Sequence, residues 1–244
     1  MIAANGTSGI HVPSEADSIA AAAVRLAGER GWRNLALGDV AAEAGISLSA
    51  LARSYVCRPE ILDGFERMID RRMLAGAAAG DIDDTPRDRL FDIVMERFDA
   101  LLPYRDGVRR ITRELAFDPA SAFVLAAAMP RTVAWMFAGA RMSIDWPAMP
   151  LKLAVMGGVY LSTFRVWLKD DAQDLGKTMA ALDRHLDRAM SLLGGNNGQS
   201  QPGKPLTPQG PPDLVEPEPQ APAAKQPKAR APKARAKPKS PPTK

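Results

Sequence analysis

The chain has 244 residues, 46% of them apolar, a formal charge of +4 and a single cysteine, Cys57. One cysteine excludes an internal disulfide framework and fits a reducing, cytoplasmic setting. With only two histidines, His11 and His185, neither a His-rich metal site nor a Ser-His-Asp set can be assembled, so no enzyme, cofactor or metal is expected.

The positive charge belongs to one end. Residues 225–244 hold eight Lys or Arg and no acid, and residues 195–224 hold Lys204 against Asp213, Glu216 and Glu218. Taking eight from +4 and restoring two leaves residues 1–194 at about −2. Residues 1–13 read as a disordered lead-in, polar and without the basic segment and apolar run of a secretory signal. Ser14 caps a first helix with Ile19, Ala23, Leu26 and Ala27 inward and a stop at Gly31. Val40, Ala41 and Ala44 share one face of a short helix that Gly45 ends. Ser47 caps the next, whose apolar side is Ala50, Leu51 and Ser54-Tyr55. Two short helices around such a turn describe a helix-turn-helix and, equally, an ordinary αα-hairpin.

After Pro59 a long helix presents Ile61, Leu62, Phe65, Met68, Ile69 and Met73. The acidic stretch Asp81 to Asp84 lacks the alternate ligands of a calcium loop and reads as capping before Pro86. Leu90, Ile93, Val94, Phe98, Leu101 and Leu102 form one stripe ended by Pro103. Val108, Ile111, Leu115 and Ala116 form another, ended near Asp118-Pro119. A segment from Ala120 to Met142 follows, with Pro130 as its kink. The longest apolar stretch, Leu153 to Phe164, is too short to span a bilayer. The segment Met149 to Leu168 is apolar on most sides and is expected to be a central, buried helix. Its Met156-Gly157-Gly158-Val159-Tyr160 patch brings backbones close or leaves space for a ligand.

A last helix, from about Ala172 to Leu193, carries Leu175, Met179, Leu182, Leu186, Met190 and Leu193 in one stripe. That stripe seeks its own core or a second subunit; a membrane surface is the alternative, opposed by the mixed charges Asp183, Arg184, Asp187 and Arg188. His185 reads as a structural or solvent-facing histidine. Gly194 to Gly198 ends the helix. Residues 195–244, rich in Pro, Ala and Lys, are expected to be a disordered tail. Its Pro-Lys-Ala-Arg repeats resemble histone-H1-like tails, which bind polyanions non-specifically; a solubilising appendage is the alternative.

The Gly31-Trp32 turn, Asp39-Val40-Ala41, Ala44-Gly45-Ile46-Ser47, Tyr55, and Arg58 before Glu60 and Leu62 together resemble the reader domain of the tetracycline-repressor (TetR) family. That resemblance implies an all-α fold with a helix-turn-helix domain over 14–75 and a ligand-binding and dimerisation domain over 76–194. It also implies a homodimer formed through the last two helices, roughly Pro147–Leu168 and Ala172–Leu193. DNA would be met by Ser47, Ser49, Arg53, Ser54 and Tyr55, with Arg58 on the backbone. Ala36, Leu48, Ala50 and Ala52 stand where the family usually has hydroxyl, Lys, Thr and Tyr residues, which thins the phosphate contacts. Leu102-Pro103-Tyr104, Asp145-Trp146, Tyr160-Leu161-Ser162-Thr163, Asp170-Asp171 and Leu182-Asp183-Arg184 resemble the lipid-binding, ubiquinone-biosynthesis accessory branch of the same fold. The expectation is a transcriptional regulator controlled by a small apolar ligand, with an isoprenoid-binding accessory protein as the alternative. Pocket candidates are Phe98, Trp135, Met136, Phe137, Met156, Tyr160, Phe164 and Trp167, with core packing as the favoured reading of each.

Overall fold

In a computed structural model, residues 14–77, 84–143, 147–172 and 174–194 are described. The expected disordered lead-in, Asp81 to Asp83, Asp145-Trp146 and the expected disordered tail lie outside them. Every regular element among the described residues is helical.

The Ser14 hydroxyl accepts from the Asp17 amide and starts α1, Glu15–Arg30. Its alanine run, Ala20 to Ala23, is buried, so small side chains let neighbouring helices approach closely. Gly31 ends it at φ +86°. The next helix, α2 (Leu37–Glu43), starts at Ala36 with no side-chain cap. It closes through Gly45, at φ +69°, with Gly45 N–H donating to the Ala42 carbonyl and Ile46 N–H to the Ala41 carbonyl. This paired pattern is a Schellman stop, and it requires a residue at ease in the left-handed region. The Ser47 hydroxyl accepts from Ala50 N–H and starts α3, Leu48–Ser54.

Helix α4 (Arg58–Ala77) buries Ile61, Leu62, Phe65, Met68, Ile69 and Met73, the set its spacing predicts. Thr85 caps α5, Pro86–Leu101. Pro103 does not break the chain into a loop. It sits in a 3-10 turn, Leu102–Tyr104, that leads straight into α6, Arg105–Glu114. The Asp118 carboxylate accepts from Ser121 N–H and starts α7, Pro119–Gly139. Pro130 lies inside that continuous helix on its exposed side, as does Ala126, whose carbonyl loses an amide partner to the proline. Among the described residues this helix, and not Leu153 to Phe164, is the one long and apolar enough to cross a bilayer by length and composition. Here its inner residues Ala128, Val133, Met136 and Phe137 pack into the core beside α4 and α5.

Helix α8 (Met149–Trp167) differs from its expected central position. Met156, Val159, Tyr160 and Trp167 are buried, whereas Leu151, Ala154, Gly158 and Leu161 lie on an exposed face. The reason is position: α7 and α9 pack on part of its surface, and no described residue buries this face. Helix α9 (Gly176–Gly194) starts later than Ala172 because Leu175 takes φ +52° just before it. Asp170, wholly buried, accepts from the amide and hydroxyl of Thr178 in its first turn. The middle of the α9 stripe is turned inward, with Leu182 and Leu186 fully buried, whereas Met179 is exposed. A surface helix laid on a membrane would leave those two exposed. One core runs from Ile19 in α1 to Ala189 in α9.

Candidate DNA-reading helix and apolar cavity

Helix α3 presents Ser47, Leu48, Ser49, Ala52 and Arg53 to solvent and holds the chain through Leu51, which is fully buried. Ser47 and Ser49 hydroxyls are 2.9 Å apart, and Ser47 also caps the helix, so both are partly engaged within the turn. The Arg53 side chain is 74% exposed and lies 3.8 Å from the Glu15 carboxylate. Such an exposed, long contact leaves the guanidinium available. Ser54 is half-buried at the edge of this face.

The two remaining sequence candidates are placed elsewhere. Tyr55 is buried and its hydroxyl donates to the Ala16 carbonyl at 3.1 Å. Burial, then the nearby Asp17, pushes its phenol upward. Its ring lies over Gly64, where any Cβ would collide with it. Arg58 donates to the Trp32 carbonyl at 2.8 Å and to the Arg33 carbonyl, tying the turn after α1 to the start of α4. Both side chains brace the helix-turn-helix instead of facing a groove. The Trp32 indole completes that brace, donating to Ser121 Oγ at 2.9 Å.

A cavity of about 500 Å³ opens between α4, α6, α7 and α8. Leu62, Phe65, Val108, Ile111, Leu125 and Met129 make most of its apolar wall. Of the pocket candidates, Tyr160 and Phe164 line it. Phe98, Met136, Phe137, Met156 and Trp167 are core residues, and Trp135 is 46% exposed. Phe98 and Trp167 nonetheless back the wall. Phe98 stacks on Tyr160 at 5.7 Å and on Trp167 at 5.8 Å, and Phe164 stacks on both Tyr160 and Trp167. The contributions of α4 and α6 escaped the sequence reading, because an apolar residue bordering a void has the same spacing signature as one bordering a neighbour.

One end of the cavity is polar. Glu66, Thr132 and Tyr160 reach it, and behind them Arg97 is 1% exposed. Arg97 donates Nε to Tyr160 Oη at 3.0 Å, Nη1 to Asp70 at 2.5 Å and Nη2 to Glu66. Thr132 donates to Asp70 at 3.0 Å. Burial pushes the Glu66 carboxyl up, with Arg97 opposing and Asp70 adding to the rise. Burial likewise raises Tyr160. An apolar body with one hydrogen-bonding head suits this space.

No protein-family model matches the chain, and no curated protein matches it. Solved structures do. A TetR transcriptional regulator from Nitrosomonas europaea ATCC 19718 superposes at TM-score 0.58 with 27% identity, covering 73% of this chain and 99% of that one. A TetR-family regulator from Rhodococcus sp. reaches 0.52 with 21% identity over 71% and 95%. Another, from Rhodococcus sp. RHA1, reaches 0.52 with 17% identity over 72% and 95%. The chain has the TetR fold. In this TetR-like fold α2, the Gly45 turn and α3 form the helix-turn-helix. Only Tyr55, Val56 and Cys57 separate α3 from α4, the helix whose inner face walls the cavity.

Proposed function

We propose that this TetR-fold chain is a cytoplasmic, DNA-binding transcriptional regulator whose operator affinity responds to a small apolar ligand in the α4–α6–α7–α8 cavity. The observation that carries the reading is the shared helix: α4 follows α3 almost directly and contributes Leu62, Phe65 and Glu66 to the cavity. A ligand that fits the cavity better in one position of α4 shifts the population of reader orientations. The likeness to the Nitrosomonas regulator supports the DNA-binding half of the proposal.

The reading requires a homodimer, and α8 supplies the face for it. Leu151, Ala154, Gly158 and Leu161 recur at helical spacing on its exposed side, whereas α9 turns Asp183, Arg184, Asp187 and Arg188 outward. Residues 225–244 add a charge-driven, sequence-independent attraction to DNA.

The test is genome-wide DNA capture with the full chain at physiological salt, followed by gel shift on the recovered motif. Arg53→Ala is expected to abolish operator binding while the dimer persists; retained binding removes Arg53 from its role. A second reading, a lipid-binding accessory protein with a vestigial reader, is favoured by one observation. Arg53 is the only cation of α3, and Tyr55 and Arg58 are occupied inside the fold. Diffuse capture without any motif, together with an isoprenoid lipid co-purifying in the cavity, would decide for it.

A further inference from the structure

Away from the apolar cavity, an open cleft of about 560 Å³ lies where α1 crosses α6. Five arginines line it: Arg25 from α1, and Arg105, Arg109, Arg110 and Arg113 from α6. Glu29 and Asp106 are the acids of the lining. In a body whose net charge is about −2, this is a local reversal of sign.

The arginines differ in how they are held. Arg109 donates to the Leu168 carbonyl at 2.7 Å and to Asp171 at 2.6 Å, and Arg110 pairs with Glu114 at 2.5 Å. Arg25 and Arg113, both exposed, have no hydrogen bond or ion pair among the described residues. Arg105 lies with its guanidinium carbon 5.0 Å from the Trp167 ring centre. Its Nε and Nη2 are buried and have no hydrogen-bond partner. Its charge also helps to pull Asp171 down, behind the larger effect of Arg109. Stacking on indole fixes the plane of Arg105 without satisfying its donors. The crossing itself is tight: a Cβ on Gly28 would come within 3.1 Å of the Gly107 nitrogen. Backbone therefore forms part of the floor, and the long arginine stems rise around it.

We propose that this α1–α6 cleft binds a small phosphorylated ligand, with Arg25, Arg105 and Arg113 as its phosphate contacts. Guanidinium forks match phosphate oxygens in geometry and charge, and groups from both helices can close on one anion. A concave site of this size takes a phosphate-bearing small molecule. A bound anion would bridge the helix that begins the reader to the helix that walls the apolar cavity, so it is a second input distinct from the apolar ligand.

The test uses the full chain and inorganic pyrophosphate as the probe, with sodium chloride of equal ionic strength as control. Binding to the folded state raises the melting temperature in a saturable way, by at least about 4 °C at a hundredfold excess over Kd. Charge on residues 225–244 is common to every protein compared. The double variant Arg25→Ala with Arg113→Ala is expected to weaken pyrophosphate by more than about tenfold. Arg184→Ala, on the outer face of α9, is expected to bind as the parent does. No shift beyond the salt control overturns the proposal, and so does an unchanged affinity in the double variant. Flotation on phosphatidylglycerol vesicles that depends on Arg25 and Arg113, without any pyrophosphate effect, would assign the contacts to a lipid headgroup and overturn the small-ligand reading.

Discussion

Arg97 is the residue on which the interior most depends, because a single buried cation answers Glu66 and Asp70 on α4 and Tyr160 on α8. Replacing it by methionine leaves Glu66 without its ion-pair partner and Asp70 with only the Arg131 guanidinium, 3.5 Å away. Arg97→Met is expected to cost about 3–5 kcal/mol in urea unfolding. The position was legible and the chemistry was not. Residue 97 falls on the same inward face of α5 as Leu90, Val94 and Leu101, but its partners sit on another helix and leave no local pattern. Three other groups contribute to the pH response. His185, bonded to Thr163 at 3.1 Å, is pulled down by burial and then by Arg188 and Arg184. Burial pushes Asp118 and Asp170 up, but hydrogen bonds from Ser121 and from Thr178 win and leave both low. Each folded-state pKa lies below its unfolded value, so each contribution is present above the unfolded pKa and disappears as pH falls through the folded one. Loss of thermal stability is therefore expected to begin below about pH 6.5 with His185 and to steepen below about pH 4 with the two aspartates. Asp170→Asn should flatten the acid limb of a melting-temperature profile; an unchanged limb would remove Asp170 from that account.

Among the helices, starts and stops were the most legible features. Ser14, Gly31, Gly45 and Ser47 each act locally, through a hydroxyl on an amide or a left-handed turn, and each is where its chemistry places it. What escaped was which side of a uniformly apolar helix meets protein. For α8 the pattern is apolar nearly all round, so it could not distinguish a central helix from one with an open face. Leu151→Asp combined with Leu161→Asp is expected to yield a folded monomer in sedimentation; a surviving dimer would place the interface elsewhere. The α1–α6 crossing was invisible for a different reason, since it depends on the absence of a side chain. A Cβ at Gly107 would run into the Val24 carbonyl oxygen, which cannot move without disturbing α1. Gly107→Ala is expected to destabilise by about 1–3 kcal/mol, read as a lowered denaturant midpoint.

Across the whole molecule, one core binds all nine described helices, and the cavity is a gap in that core on the inner side of α4. The fold class was readable from caps and stripes together, because many weak local signals agreed. The cavity was not, since emptiness has no residue type. One consequence concerns α3, which is anchored by Leu51 while Leu48, Ser49, Ala52 and Arg53 point into water. Leu48→Lys is accordingly expected to change unfolding free energy by less than about 0.5 kcal/mol. Selection for folding therefore neither guards nor opposes the outward face of this helix. On the proposed function, a lineage loses its operator, or gains another, by a handful of exchanges that no stability assay would register, while the cavity-bearing interior is inherited unchanged.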